Sequence, residues 1–210
     1  MVSYRLLLCT SCFLTVSGYE MDRIYRNGKL NITVTIRTSD CVHAGTDSDI
    51  NASPGFVDQF GTLIWWFEMR MIKGNKDDRF EQRTALSCVQ AVPEDQLAEI
   101  EQACVLYSRG NVLDYGRCFI PNIVFFGMYT WFGNLLGDWR PGTTTFEMQW
   151  YGLQHSRAHT RTEHIMNYGC NFKWVPNIAG YSHLCKYPTH NDFTDRRVED
   201  PPVVGQKFVC

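Results

Sequence analysis

Residues 31–51, NITVTIRTSDCVHAGTDSDIN, limit the fold more than any other stretch of this chain. Ile32, Val34 and Ile36 alternate with Thr33, Thr35 and Arg37. Strand side chains point to opposite faces in turn, so one side of this segment is apolar and the other is wet. Such a strand needs neighbours in a sheet and a second layer against its apolar face. The segment ends in an acidic turn, where Asp40, Asp47 and Asp49 gather around Gly45 and Thr46.

Other stretches repeat the two-residue period. In residues 62–72, TLIWWFEMRMI, one face carries Trp65, Phe67, Met69 and Met71, and the other carries Trp66, Glu68, Arg70 and Ile72. Residues 143–153 place Thr145, Glu147 and Gln149 opposite Phe146, Met148 and Trp150. Residues 79–92, anchored by Phe80, Leu86, Cys88 and Val89, and residues 170–175 read as further strands. Residues 119–139 are dense in apolar and aromatic side chains. Pro121, Gly127, Gly133, Asn134 and Asp138 interrupt them, which suits buried strands and turns better than a membrane span.

Residues 53–61, with Pro54 and two glycines, read as a loop, and Trp139-Arg140-Pro141-Gly142 reads as a turn. One helix is expected at about residues 93–109. Pro93 opens it, Glu94 and Asp95 suit its positive end, and Leu97, Ile100, Cys104 and Tyr107 recur at helical spacing before Arg109 and Gly110. A bridge from Cys104 would staple this helix to the body. The expected architecture is mainly β, a two-sheet antiparallel sandwich with one inserted or flanking helix, stabilised by disulfides.

The first eighteen residues have a signal-peptide pattern: Arg5, an apolar run from Leu6 to Val16, and small residues at Val16 and Gly18. The expected organisation is a signal over 1–18, a single β domain over 19–185 and a loosely attached polar tail over 186–210. Cys9 and Cys12 leave with the signal. In an oxidising compartment Cys41, Cys88, Cys104, Cys118, Cys170 and Cys185 form three bridges of undetermined connectivity. Cys210, the last residue, is then the odd thiol, free or linking two chains as a homodimer. Asn31-Ile32-Thr33 and Asn51-Ala52-Ser53 are glycosylation sequons, and glycan on both requires both asparagines at the surface. The formal net charge of −2 argues against nucleic acid as a partner, because phosphate binding needs a basic face.

The run Val34, Ile36, Thr38, then Ala44, Gly45, Thr46, Asp47 resembles the opening strand and first loop of PLAT/LH2 (lipoxygenase homology) domains. Asp77, Asp78 and Phe80 echo a later D-x-F step of that family. The family's next strand has no obvious counterpart in Asn51-Ala52-Ser53-Pro54, so that strand is expected to be short or displaced. The resemblance implies an accessory β-sandwich that brings proteins to lipid, membranes or partner proteins. It also implies a calcium site on Thr46, Asp47 and Asp49, with Asp40 nearby. Hard cations take six to eight oxygens at a flexible turn, and these residues supply several.

A second metal candidate is His155, His159 and His164, with Glu163 as a base, which would make a zinc-dependent hydrolase. The ordered HExxH pattern is missing, and Arg157 and Arg161 lie between the histidines. No G-x-S-x-G elbow and no phosphate-cradling glycine loop occurs. The reading is a secreted, non-enzymatic glycoprotein that docks on a lipid or membrane surface or on a partner protein, with calcium as the expected helper ion. The alternatives are the metal-dependent hydrolase and a structural or venom-like disulfide-linked protein.

Overall fold

The computed structural model describes residues 29–46, 48–72, 83–129, 138–151, 159–167, 170, 174–175, 180–187 and 200–210. The signal segment, Asp47, Asp77, Asp78, Phe80 and His155 lie outside these residues. Among the described residues the chain forms a two-sheet antiparallel β-sandwich with two helices. The strands are β1 (Lys29–Thr38), β2 (Asp49–Val57), β3 (Leu63–Trp66), β4 (Ala85–Ala91), β5 (Ile123–Tyr129), β6 (Pro141–Tyr151), β7 (His159–Met166) and β8 (Gly180–Cys185). One sheet has the order β4-β1-β6-β7 and the other β3-β2-β5-β8. The helices α1 (Glu94–Ser108) and α2 (Val112–Cys118) lie between β4 and β5 in the chain. Among the described residues no helix is long and apolar enough to cross a membrane.

The first sheet follows the alternation closely. Leu30, Ile32, Val34 and Ile36 of β1 and Phe146, Met148 and Trp150 of β6 are all buried. Their alternates form a polar outer face, where Thr35 Oγ1 lies 2.7 Å from Ser87 Oγ across the β1–β4 pair. Strand β4 extends this face, so Val89 points outward and is 64% exposed.

The second sheet is buried on both faces, which explains the unbroken apolar run of β5. Its inner face joins the main core through Ala52, Phe56, Val124, Phe126 and Met128. Its outer face carries a smaller core of Val57, Leu63, Ile123, Phe125, Tyr181 and Phe208. The C-terminal segment supplies that cover. Leu63 N–H donates to the Gln206 carbonyl, Gly205 N–H to the Leu63 carbonyl, and Phe208 N–H to the Gly61 carbonyl. The tail reading is therefore corrected for residues 200–210: apolar Ile123 and Phe125 need a lid, and Phe208 packs edge-on to Phe125 at 5.1 Å.

The loop reading is corrected for residues 53–57, and the displaced family strand with it, because β2 runs straight through Asn51-Ala52-Ser53-Pro54; residues 58–61 form the expected turn. Proline survives there because the Pro54 carbonyl accepts from Phe67 N–H. Its missing donor therefore faces the β3 side just beyond that strand's last residue, Trp66. The expected strand over residues 62–72 is regular only to Trp66. Beyond it the chain follows β2 through side chains: Met69 N–H donates to Ser53 Oγ at 3.0 Å, and Asn51 Nδ2 donates to the Met69 carbonyl at 3.2 Å. Trp139-Arg140 is not a turn but bridges to Val175 before Pro141 opens β6.

The disulfides are Cys41–Cys170, Cys104–Cys118 and Cys185–Cys210. Cys88 is the free cysteine among the described residues. This corrects both the expected set of six and the expected Cys210-linked homodimer. Cys210 is carried back to β8 by the C-terminal segment, whereas Cys88 sits half-buried on the edge strand β4. Cys104 staples α1 to α2 rather than to a sheet. That pair docks through Trp65 Nε1, which donates to the Cys118 carbonyl at 2.7 Å, and through Phe119, edge-on to Trp150 at 5.3 Å.

Candidate functional site

The loop from β1 to β2 lies at one end of the sandwich, tied down by Cys41–Cys170. Of the expected metal ligands, Thr46, Asp49 and Asp40 fall among the described residues. Thr46 is buried, and its Oγ1 accepts the Ser48 N–H at 3.3 Å, the local bond of an ordinary hydroxyl turn. Asp49 opens β2, paired in register with Tyr129. Asp40 lies in the field of Arg140, the buried arginine that leads into β6. No three histidine, cysteine or carboxylate side chains gather as metal ligands among the described residues.

Next to Asp40 the same loop walls a cavity of about 440 Å³ with Arg37, Arg83 and Arg140 around it. Burial pulls Arg140 below the ordinary arginine range, and the neighbouring Asp40 offsets part of that pull. None of these arginines stood out in the sequence, because they lie on three separate strands or strand approaches.

Of the histidine cluster, His159 and His164 fall among the described residues. His159 pairs in register with Trp150 and His164 with Thr145. Five residues apart on a strand, they point to opposite faces. His164 Nδ1 lies 3.0 Å from Thr145 Oγ1 on the polar face. Glu163 is buried and bonded to Arg161 Nε at 2.7 Å and to Lys186 Nζ. Burial opposes its charge, but the hydrogen bonds from Lys186 and Arg161 outweigh that and hold its carboxyl below the usual glutamate range. Such a carboxylate is a structural anion, poorly suited to accept a proton near neutral pH.

The two sequons also differ. Asn31 is half-buried on the outer face of β1. Asn51 is 1% exposed with both amide atoms engaged, so the expectation that it stands at the surface is corrected.

At the opposite end of the sandwich, where β2 finishes, an open groove of about 940 Å³ lies between the β2–β3 turn, the helices and the C-terminal segment. Asp58 Oδ1 holds the turn by accepting from Phe60 N–H and Thr62 N–H, both at 2.8 Å. This presents Phe60 to solvent at 72% exposure. Leu106 of α1, Tyr187 beyond β8 and Val209 complete an exposed apolar rim, at 70%, 72% and 62%. Arg109, Arg117, Asp58 and Asp114 are the charged residues of the groove. Tyr107 lies deeper, edge-on to Phe56 at 5.3 Å. Burial, helped by Asp114, raises its hydroxyl above the ordinary tyrosine range. Arg109 ends α1 in a left-handed conformation, φ 47°.

Neither a protein-family profile nor a curated protein sequence matches the chain. Among solved structures, a lipoxygenase (LOX) variant aligns at 13% identity and a TM-score of 0.37, over 74% of this chain and 16% of its own. The alpha toxin from Clostridium absonum aligns at 13% identity and a TM-score of 0.31, over 63% of this chain and 30% of its own. The chain thus spans less than a third of either. The class of the protein rests on strand order and register: a disulfide-bridged antiparallel β-sandwich.

Proposed function

We propose that this chain is a secreted, non-enzymatic binding module of PLAT-like build that docks on a membrane surface. The signal-like first eighteen residues, the three disulfides and the Ala44–Asp47 resemblance support the setting. The observation that carries docking is the rim of Phe60, Leu106, Tyr187 and Val209 at one end of the sandwich. Large apolar side chains gathered in the open around a groove mark an interaction surface. Aromatic rings with a polar tip, such as Tyr187, suit the headgroup level of a bilayer. Calcium, held through Asp47 and its neighbours, is the proposed helper ion at the other end.

Co-sedimentation with phosphatidylcholine vesicles tests the reading, run with calcium and with a chelator. The wild type is expected to pellet with the vesicles. Phe60→Ser with Leu106→Ser removes two exposed side chains and leaves the core intact. Each is worth about 1.5–3 kcal/mol when fully buried, so the pair is expected to cut partitioning tenfold or more. A wild type that stays in the supernatant under both conditions overturns the proposal. Equal pelleting with and without calcium removes the ion alone.

A further inference from the structure

The end of the sandwich away from the apolar rim holds the 440 Å³ cavity beside the β1–β2 loop. Its charge runs against that of the molecule. The whole chain is net negative, yet among the described residues this cavity is walled by three arginines against a single carboxylate, Asp40.

Neighbouring strands bring the three guanidinium-bearing residues together. Arg37 lies on β1, Arg83 on the approach to β4, and Arg140 on the approach to β6, and β4, β1 and β6 are adjacent. Backbone bonds tie them in series: Arg83 N–H donates to the Ser39 carbonyl at 3.3 Å, and Ser39 N–H donates to the Arg140 carbonyl at 3.0 Å.

Two of the three sit on or beside irregular backbone. The β1–β6 register shifts between Ile36 and Thr38, so Arg37 faces two residues of β6, Gly142 and Thr143, across a bulge in that strand. Arg83 has φ +68°, a conformation that a non-glycine residue holds only when its surroundings impose it. Asp40 lies in the field of Arg140. No hydrogen bond or ion pair engages the side chain of Arg37 or Arg83 among the described residues. Thr143 and Asn167 add polar groups to the wall. The guanidinium is planar, always charged and forked to match oxygens in pairs, so two such groups lining this cavity suit a tetrahedral oxyanion.

We infer that Arg37, Arg83 and Arg140 form an oxyanion site for a phosphate or sulfate group. The site is independent of the apolar rim. Strand β1 has ten residues at about 3.3 Å each, so the two ends lie roughly 30 Å apart.

The test is a pair of titrations on the full chain, at constant ionic strength against sodium chloride. One uses inorganic phosphate and the other vesicles containing phosphatidic acid. Arginine side-chain NMR shifts report binding at the site. The variants are Arg37→Gln and Arg83→Gln, singly and together; Arg140 is buried and is left in place. Near-UV circular dichroism checks that each variant keeps its packing. The expected result is a saturable shift of the wild-type arginine signals, weakened at least about tenfold by each substitution through the lost charge-assisted hydrogen bonds. Saturation by phosphate alone assigns a soluble anion. Saturation only by the acidic vesicles, lost in the double variant, assigns a lipid headgroup. Wild-type signals that move no further than in chloride overturn the inference, and so does a folded double variant that binds as well as the wild type. Because Phe60 and Leu106 are untouched, this outcome is separate from the fate of the docking proposal.

Discussion

The side-chain oxygen of Asn51 accepts the Gly127 N–H at 2.9 Å across the β2–β5 pair. Its nitrogen reaches the other way, to the Met69 carbonyl at 3.2 Å. One amide thus stands in for two backbone groups and joins three neighbouring segments. Only glycine fits at position 127, since a Cβ there would come within 2.7 Å of the Asn51 oxygen.

Asn51→Ala leaves a buried donor and a buried acceptor without partners. Each such group costs about 1–3 kcal/mol, so a loss of about 2–6 kcal/mol is expected in urea unfolding. Gly127→Ala strains the same contact, so the double variant should lose less than the sum of the singles.

The same burial decides glycosylation. In protein exported from a eukaryotic host, peptide mass spectrometry is expected to show glycan on Asn31 and an unmodified Asn51. Glycan on Asn51 in folded protein would contradict the burial described here.

Cys210→Ser opens a loop spanning 25 residues and loosens the cover over Ile123 and Phe125. Chain entropy alone puts the loss near 3.5 kcal/mol. Cys41→Ser opens a span of 129 residues, for which the same relation gives about 5 kcal/mol. Denaturant midpoints should fall in that order. Peptide mapping of the wild type should recover Cys185 linked to Cys210.

Arg109 holds a left-handed conformation that costs a non-glycine residue about 1–2 kcal/mol. Glycine relieves this but is more costly to order, so Arg109→Gly is expected to stabilise by about 0.5–1 kcal/mol. Calorimetry should show the melting point rising by about 1–4 °C.

Glu163 makes stability depend on pH. Its folded pKa lies below the unfolded value of about 4.3, so its contribution is complete above that pH. It is lost as pH falls through the lower folded pKa. Glu163→Gln should therefore destabilise at pH 7 by about 1–3 kcal/mol, the range for buried bonds to charged groups. The gap to wild type should close towards pH 3 in urea titrations.

What could be read from the sequence follows from how each segment is buried. Strands β1 and β6 have one wet face and one dry face, and their alternation is explicit in Ile32-Thr33-Val34 and Phe146-Glu147-Met148. Helix α1 announced itself by its apolar spacing and its acidic first turn. Strand β2 did not, because Asn51, Ser53 and Pro54 look like loop residues until their polar atoms are seen replacing backbone bonds. Helix α2 was missed for its brevity, at seven residues. The residues of the two proposed surfaces were hidden for a different reason. Phe60, Leu106 and Tyr187 are ordinary apolar residues whose exposure depends on what fails to cover them, and Arg37, Arg83 and Arg140 meet only because β4, β1 and β6 are neighbours.

The chain's own periodicity determined that it would be a layered β-protein, since a period of two admits one buried face per strand. Which cysteines pair, that the C-terminal segment is a lid, and which side chains reach solvent at each end were decided only by the tertiary fold. Those outcomes depend on contacts between residues far apart in the chain, and local patterns carry no record of them.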